Sequence, residues 1–283
     1  MVNDARFPGF LYHYTSFETL ALILTNRTIC FNSLQNVDDM EEAETADMQN
    51  FGKFVYVSCW TDDARELISL WSLYTPDMHG VRIGLPCFPF KKYSYKKGQF
   101  NFTEDVTTYI NEEDLFREDK YSITSDQPRL VKVEYTDEKS KLMPSIKHVE
   151  PADAVERYLR AENMSEAVNT KITISFGELG KYKRSDWEFQ HEWRYIITMT
   201  PFGMRESQPP TFEKQQKLIT KLNDPNTPPP VDRYFLRLAD DAVKQMQIVI
   251  GPRMTQAEKI YVKTLLKEHG LENNWTESML RIR

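Results

Sequence analysis

Cysteine is scarce in this 283-residue chain: Cys30, Cys59 and Cys87 are odd in number and show no CxxC spacing. That excludes a disulfide framework and a thiolate zinc site, and each cysteine lies in or beside an apolar stretch where a reduced packing residue is expected. No apolar run reaches the length of a membrane span, and "MVNDARFPGF" lacks the basic stretch and apolar core of a secretory signal. The expected compartment is the cytoplasm, without membrane contact. Also missing are GxGxxG after a strand, GxxxxGK[ST], HExxH and GxSxG, which removes the familiar signatures of dinucleotide oxidoreductases, P-loop enzymes, zinc proteases and α/β-hydrolases. Positive charge is in deficit, with 36 Lys and Arg against 42 Asp and Glu, which argues against indiscriminate binding of a nucleic-acid backbone. Only "KKYSYKK" (91–97) is a basic patch, and it reads as a solvated loop.

What is present is a globular chain, 40% apolar, with period-2 and period-3.6 patterns in no strict alternation. "FLYHYT" (10–15), "TICFNS" (28–33), "KFVYVSCW" (53–60), "GVRIGL" (80–85), "RLVKVEY" (129–135), "QHEWRYII" (190–197), "QMQIVIG" (245–251) and "SMLRIR" (278–283) read as strands. Helices are expected after a capping box at Thr15 and Glu18, over the acidic segment 36–50, over 62–74 with a stripe that includes Trp71 and Tyr74, and over 151–163 with proline at its start. A last helix opens at Thr255 and Glu258 and closes at Gly270. Residues 90–128 lose any steady period and read as an insertion; the prolines between 200 and 232 mark long loops around a short polar helix. The expectation is one α+β domain spanning 1–283.

The strand "QHEWRYII" carries two charges two residues apart. Alternation puts Glu192, Arg194 and Ile196 on one face and Trp193, Tyr195 and Ile197 on the other, so one face is core and the other looks into a cleft or into water. An exposed ion pair is the commoner explanation, but Lys183, Trp187 and Glu188 just upstream fit a cleft better. His13 is the second candidate: followed by Tyr14, Thr15 and Ser16 at a helix start, it offers ring nitrogens and free backbone N–H groups to a polar ligand, unless the ring is satisfied by its own backbone. Trp71 and Tyr74, at stripe positions, read first as core. Asp38, Asp39, Glu41 and Glu42 lack spaced histidines and read as a solvated helix face, so no metal is expected.

"LYHYTSFETLALILTNRTICFNSLQNVDD", "VYVSCWTDDARELISLWSLYTPDMHGVRIGL", "KYKRSDWEFQHEWRYII" and "MQIVIGPRMTQAEKIYVKTLLKEHG" occur in that order over nearly the whole chain. Together they resemble a bacterial family catalogued as domain of unknown function twenty-nine seventy-one. The chain departs from that pattern at "NVDDMEE", where an asparagine-aspartate-proline segment is usual, and at Gln190 and His191 before Glu192. The family is in turn similar, more distantly, to the ADP-ribosyltransferase superfamily, and "LYHYTSFETLALIL" also looks like the first strand and helix of nucleic-acid-targeting ADP-ribosyltransferases and of RNA 2'-phosphotransferases. The resemblance implies split antiparallel or mixed β-sheets with flanking helices, and NAD as a substrate without a metal. His13 would hydrogen-bond the adenosine ribose, with Tyr14, Thr15 and Ser16 around the nucleotide, and Glu192 would be the late-strand catalytic glutamate. The middle member would be Ser58 or Trp60 at the end of their strand, or Tyr74 after it; Arg194 would keep Glu192 ionised and touch a phosphate. The implied activity is transfer of ADP-ribose to a macromolecule, protein or RNA/DNA, as a bacterial toxin or phage-defence effector with an antitoxin or regulatory partner. The competing expectation is a non-catalytic nucleotide-binding or protein-interaction module in which Glu192 and Arg194 are a structural pair. Transfer of an RNA 2'-phosphate is disfavoured by the few basic residues near the first strand.

Overall fold

Alternating side chains give each strand one face per core, and the pairing of those strands builds a sheet that forks. The computed structural model describes residues 7–150, 152–162, 171–207 and 211–282. β1 (Phe10–Thr15) pairs antiparallel along its length with β4 (Val81–Pro86). β3 (Val55–Thr61) is the junction. One of its edges carries β6 (Glu192–Thr200), from Glu192 opposite Thr61 to Thr198 opposite Val55. Its other edge is shared: Asn32 and Ser33 of β2 (Thr28–Ser33) meet Val57 and Tyr56, while Tyr12 of β1 meets Thr61. β1 and β2 therefore leave β3 side by side without pairing to each other. β7 (Arg233–Arg237) extends the β2 arm. β8 (Gln247–Ile250) and, parallel to it, β9 (Trp275–Glu277) extend the β4 arm. β5 (Arg129–Lys132) and the two-residue strand Ser122–Ile123 cover the outer edge of β6. The architecture is α+β, an open, largely antiparallel sheet with flanking helices.

The two faces of β3 and β6 enter different cores, as the alternation predicts. Tyr56, Trp60, Trp193, Tyr195 and Ile197 join the larger core with Leu20 and Leu24 of α1 (Phe17–Asn26) and Val262 and Leu266 of the C-terminal helix Gln256–Glu268. Val55, Val57 and Ile196 join a second core with Leu34, Phe51 and Phe54. Leu70 and Trp71 of α2 (Ile68–Tyr74) pack with Tyr14 in a third.

Local chemistry corrects several expectations. α1 is capped by Ser16, whose hydroxyl accepts from the Thr19 N–H, rather than by Thr15, which ends β1. The capping box at Thr255 and Glu258 forms as expected. The acidic segment is not a helix: 3₁₀ turns at Leu34–Asn36, Met40–Ala43 and Phe51–Phe54 replace it. A Cβ on Gly52 would lie 2.5 Å from the Ala43 Cα, so this glycine lets the two turns close on one another, an approach a continuous helix forbids. The expected strand 129–135 breaks after Lys132, α2 begins only at Ile68, and the last strand is Trp275–Glu277, upstream of "SMLRIR".

Within 90–128 the chain forms the hairpin Tyr93–Tyr95 with Val106–Thr108 and the helix Glu112–Glu118, and it sends Ile110, Leu115 and Tyr121 into the larger core. The polar helix among the prolines is Phe212–Asn223; Pro151, Pro209 and Pro210 lie outside the described residues. Among the described residues no helix is long and apolar enough to cross a membrane.

Candidate functional site

The fork between β1 and β2, floored by β3 and spanned by α1, encloses a cavity of about 620 Å³, within the size range of small-molecule sites. His13 and Thr15 of β1, Asn32 of β2, Ser58 and Cys59 of β3, Tyr74, Glu192 and Arg194 all line it. A smaller apolar recess of about 60 Å³ adjoins it through His13, Cys59, Tyr74 and Glu192, and is walled by Tyr14, Trp60 and Leu70. His13 and Glu192 thus share one cleft. Ser16 lines neither space, since its hydroxyl is spent on the helix cap. Tyr14 stacks edge-on against Trp71 at 4.9 Å between ring centroids and accepts the Leu67 N–H, which makes it part of the wall. The Ser58 hydroxyl accepts the Trp60 indole N–H at 3.0 Å, so these two β3 side chains satisfy each other.

Glu192 and Arg194, neighbours on one face of β6, meet as a fork on a carboxylate. Arg194 Nε donates to Glu192 Oε1 at 2.6 Å and Nη2 to Oε2 at 3.1 Å. Arg194 Nη1 donates to Glu42 Oε2 and to the Gly180 carbonyl. Lys183 Nζ donates to Glu192 Oε2 at 3.1 Å and to Gln190 Oε1 at 2.9 Å, and stands 3.4 Å from Glu42 Oε1. Two carboxylates and two cations, all buried, therefore close a neutral network whose members come from three separate stretches of sequence. Glu42 does not sit on a solvated face, as its acidic surroundings suggest, because the Met40–Ala43 turn aims it inward.

These contacts set the protonation states. Burial pushes the Glu192 carboxyl up, but Arg194 and then Lys183 overcome it and hold the group at about 2, ionised at every ordinary pH. Burial, with Glu192 nearby, drives the Cys59 thiol well above its usual range, so it is no thiolate nucleophile. Burial and then the adjacent Asp38 raise the Tyr74 phenol; it stays protonated, accepting from Gln190 Nε2 at 2.6 Å.

His13 Nδ1 lies 2.8 Å from the Cys59 carbonyl, so the ring donates there. Burial lowers its pKa, a shift partly opposed by that carbonyl, so the imidazole is neutral near pH 7 and Nε2 keeps a lone pair for a ligand donor. Because the folded protein binds this proton less readily than the unfolded chain, His13 lowers stability as pH falls below the ordinary histidine value of 6.5. An NMR titration is expected to place the His13 midpoint below 6.5; a midpoint above it would mean the ring pairs with an anion instead.

Several residues at this site carried no local signal. The acidic run around Glu42 implies surface, and Arg233 and Phe235, at the cavity mouth on β7, lie just past the proline-rich stretch 200–232, where no element is expected. The RYFLR alternation at 233–237 was the available clue. Among the described residues no group of three or more His, Cys, Asp or Glu side chains gathers as a metal site.

Fold and site define an α+β protein with a polar cleft at a sheet fork, backed by a buried ionic network. Residues 70–195, a little under half of the chain, match the family described as Protein of unknown function (DUF2971). The match begins within α2, takes in β4 and the Lys183–Arg194 stretch, and leaves out β1 and β7. No curated protein and no solved structure matches the chain.

Proposed function

We propose that the protein binds NAD in the forked cleft, on an ADP-ribosyltransferase-like split sheet, and transfers ADP-ribose to a macromolecular acceptor. The observation that carries this reading is the shared cavity of His13 and Glu192, residues from the first and third of the four sequence blocks. In the reaction the ribose C1'–nitrogen bond breaks, its electron pair leaves with neutral nicotinamide, and an acceptor nucleophile bonds to C1' and loses a proton. The ribose passes through an oxocarbenium-like state, for which a carboxylate ionised down to about pH 2 is a ready-made counter-charge. The neutral His13 accepts a ribose hydroxyl through Nε2, Tyr74 offers a protonated phenol, and Phe235 an aromatic surface at the mouth.

One observation favours a second reading, a module that binds the nucleotide without turnover: both Glu192 oxygens already accept hydrogen bonds from Arg194, and one also from Lys183. Isotope-labelled NAD and calorimetry separate the two. Under the first reading Glu192→Gln, which keeps the shape, is expected to leave NAD binding within a few-fold and cut nicotinamide release by a hundredfold or more, about 2.7 kcal/mol of barrier. Binding without release in the unmodified protein supports the module; neither binding nor release rejects both.

A further inference from the structure

β7 is an edge strand, and its alternation presents Arg233, Phe235 and Arg237 on one exposed face, about 6.8 Å apart from one to the next. Phe235 is 52% exposed, which leaves its ring open to a partner. Arg233 and Phe235 line the mouth of the main cavity. The same three side chains, with Tyr93, line a second cavity of about 330 Å³ beside it. At the far end the Lys91 N–H donates to the Arg237 carbonyl at 2.8 Å, which carries the row on through Lys91, Lys92 and Tyr93. Lys91 Nζ sits 5.0 Å from the Tyr93 ring centroid.

Among the described residues no carboxylate lies within 4.0 Å of the charged atoms of Arg233, Arg237, Lys91 or Lys92. Two carboxylates on the flank have other partners: Asp114 pairs with Arg117, and Glu118 accepts from the Tyr121 hydroxyl. An acidic chain that keeps four cations unpaired in one row, interleaved with two rings, presents a surface complementary to a polyanion with flat bases.

We infer that this row is a docking track for a single-stranded polynucleotide, leading its end into the cleft. Guanidiniums on either side of a free phenyl ring match phosphates on either side of a stacked base, and stacking tolerates any sequence because every base has a π face. A duplex hides those faces within its own stack and leaves Phe235 without a partner. An acidic peptide would engage the cations but not the ring. Naming the strand as the acceptor of ADP-ribose rests on the transfer reading above, whereas binding of the strand does not.

The test is fluorescence anisotropy of end-labelled 20-nucleotide RNA and DNA of mixed sequence, without NAD, over a salt series, with a duplex and a polyglutamate peptide alongside. Binding of single strands at least tenfold tighter than of the duplex is expected, and comparing RNA with DNA identifies the sugar. Arg233→Ala with Arg237→Ala is expected to weaken binding at least tenfold and to reduce the slope of log affinity against log salt by about 1.4. Phe235→Ala should cost about tenfold, and Phe235→Tyr should restore it. Melting curves confirm that these surface variants fold. The inference is overturned if single strands do not bind, if duplex or peptide binds equally well, or if the arginine and phenylalanine variants bind as the parent does. Because NAD is absent, failure here leaves nicotinamide release untouched, and failure of that release leaves strand binding untouched.

Discussion

Arg194→Ala is expected to lower the unfolding free energy by about 3–5 kcal/mol, the range for breaking a buried ion pair from one side. The guanidinium is wholly buried and serves Glu192, Glu42 and the Gly180 carbonyl together, so its removal leaves two carboxylates facing only Lys183. Arg194→Lys keeps the charge but not the fork, and an intermediate loss is expected. The pH dependence separates charge from packing. In the parent protein the Glu192 carboxyl lies at about 2 against an ordinary 4.5, so its stabilising contribution is complete above about pH 4.5 and is lost as the pH falls towards 2. Without Arg194, burial dominates and the carboxyl favours its proton. The deficit of the variant is then largest at neutral pH and shrinks on acidification. Urea midpoints at pH 7 and pH 4 read this directly; a small, pH-independent deficit would mean that the network contributes packing alone.

Trp71→Ala is expected to cost a similar amount, about 3–5 kcal/mol, through lost burial and the cavity left behind. Trp71 is fully buried, packs against Tyr14 and Leu70, and donates its indole N–H to Glu66 Oε2 at 3.1 Å. Glu66 also accepts from the Ser278 hydroxyl and the Met279 N–H, so one tryptophan ties α2 to the C-terminal tail. Hydrogen exchange is expected to rise at residues 275–280 as well as in α2. Trp71→Phe retains an aromatic ring without the N–H, and a loss of about 1–2 kcal/mol is expected from the one hydrogen bond removed from the Glu66 carboxylate.

Period-2 alternation at 192–197 told which face of β6 is core, because a strand has only two faces and a one-residue error would expose Trp193, Tyr195 and Ile197. It did not tell that the charged face is buried too. That depends on Glu42, which arrives through two tight turns and the Gly52 approach, and a run such as "NVDDMEE" carries no mark of a partner far along the chain. Capping followed the same division. Thr255 and Glu258 stand alone as a capping pair, whereas Thr15 competes with Ser16 one residue later, and the choice falls to where β1 ends. Trp71 is core as its stripe position implies, but Tyr74, on the same stripe, reaches the cleft because α2 stops there.

The placement of the cleft's walls bears on when it comes into being. Its floor and one side belong to β1, α1, β2 and β3, but Lys183, Glu192, Arg194, Arg233 and Phe235 follow residue 180. A ribosome that has released only the first 180 residues holds half a basin, with Glu42 unmatched and no anion from β6 opposite His13. Whatever chemistry this molecule performs, the nascent chain is without it until the residues from Lys183 to Phe235 have emerged.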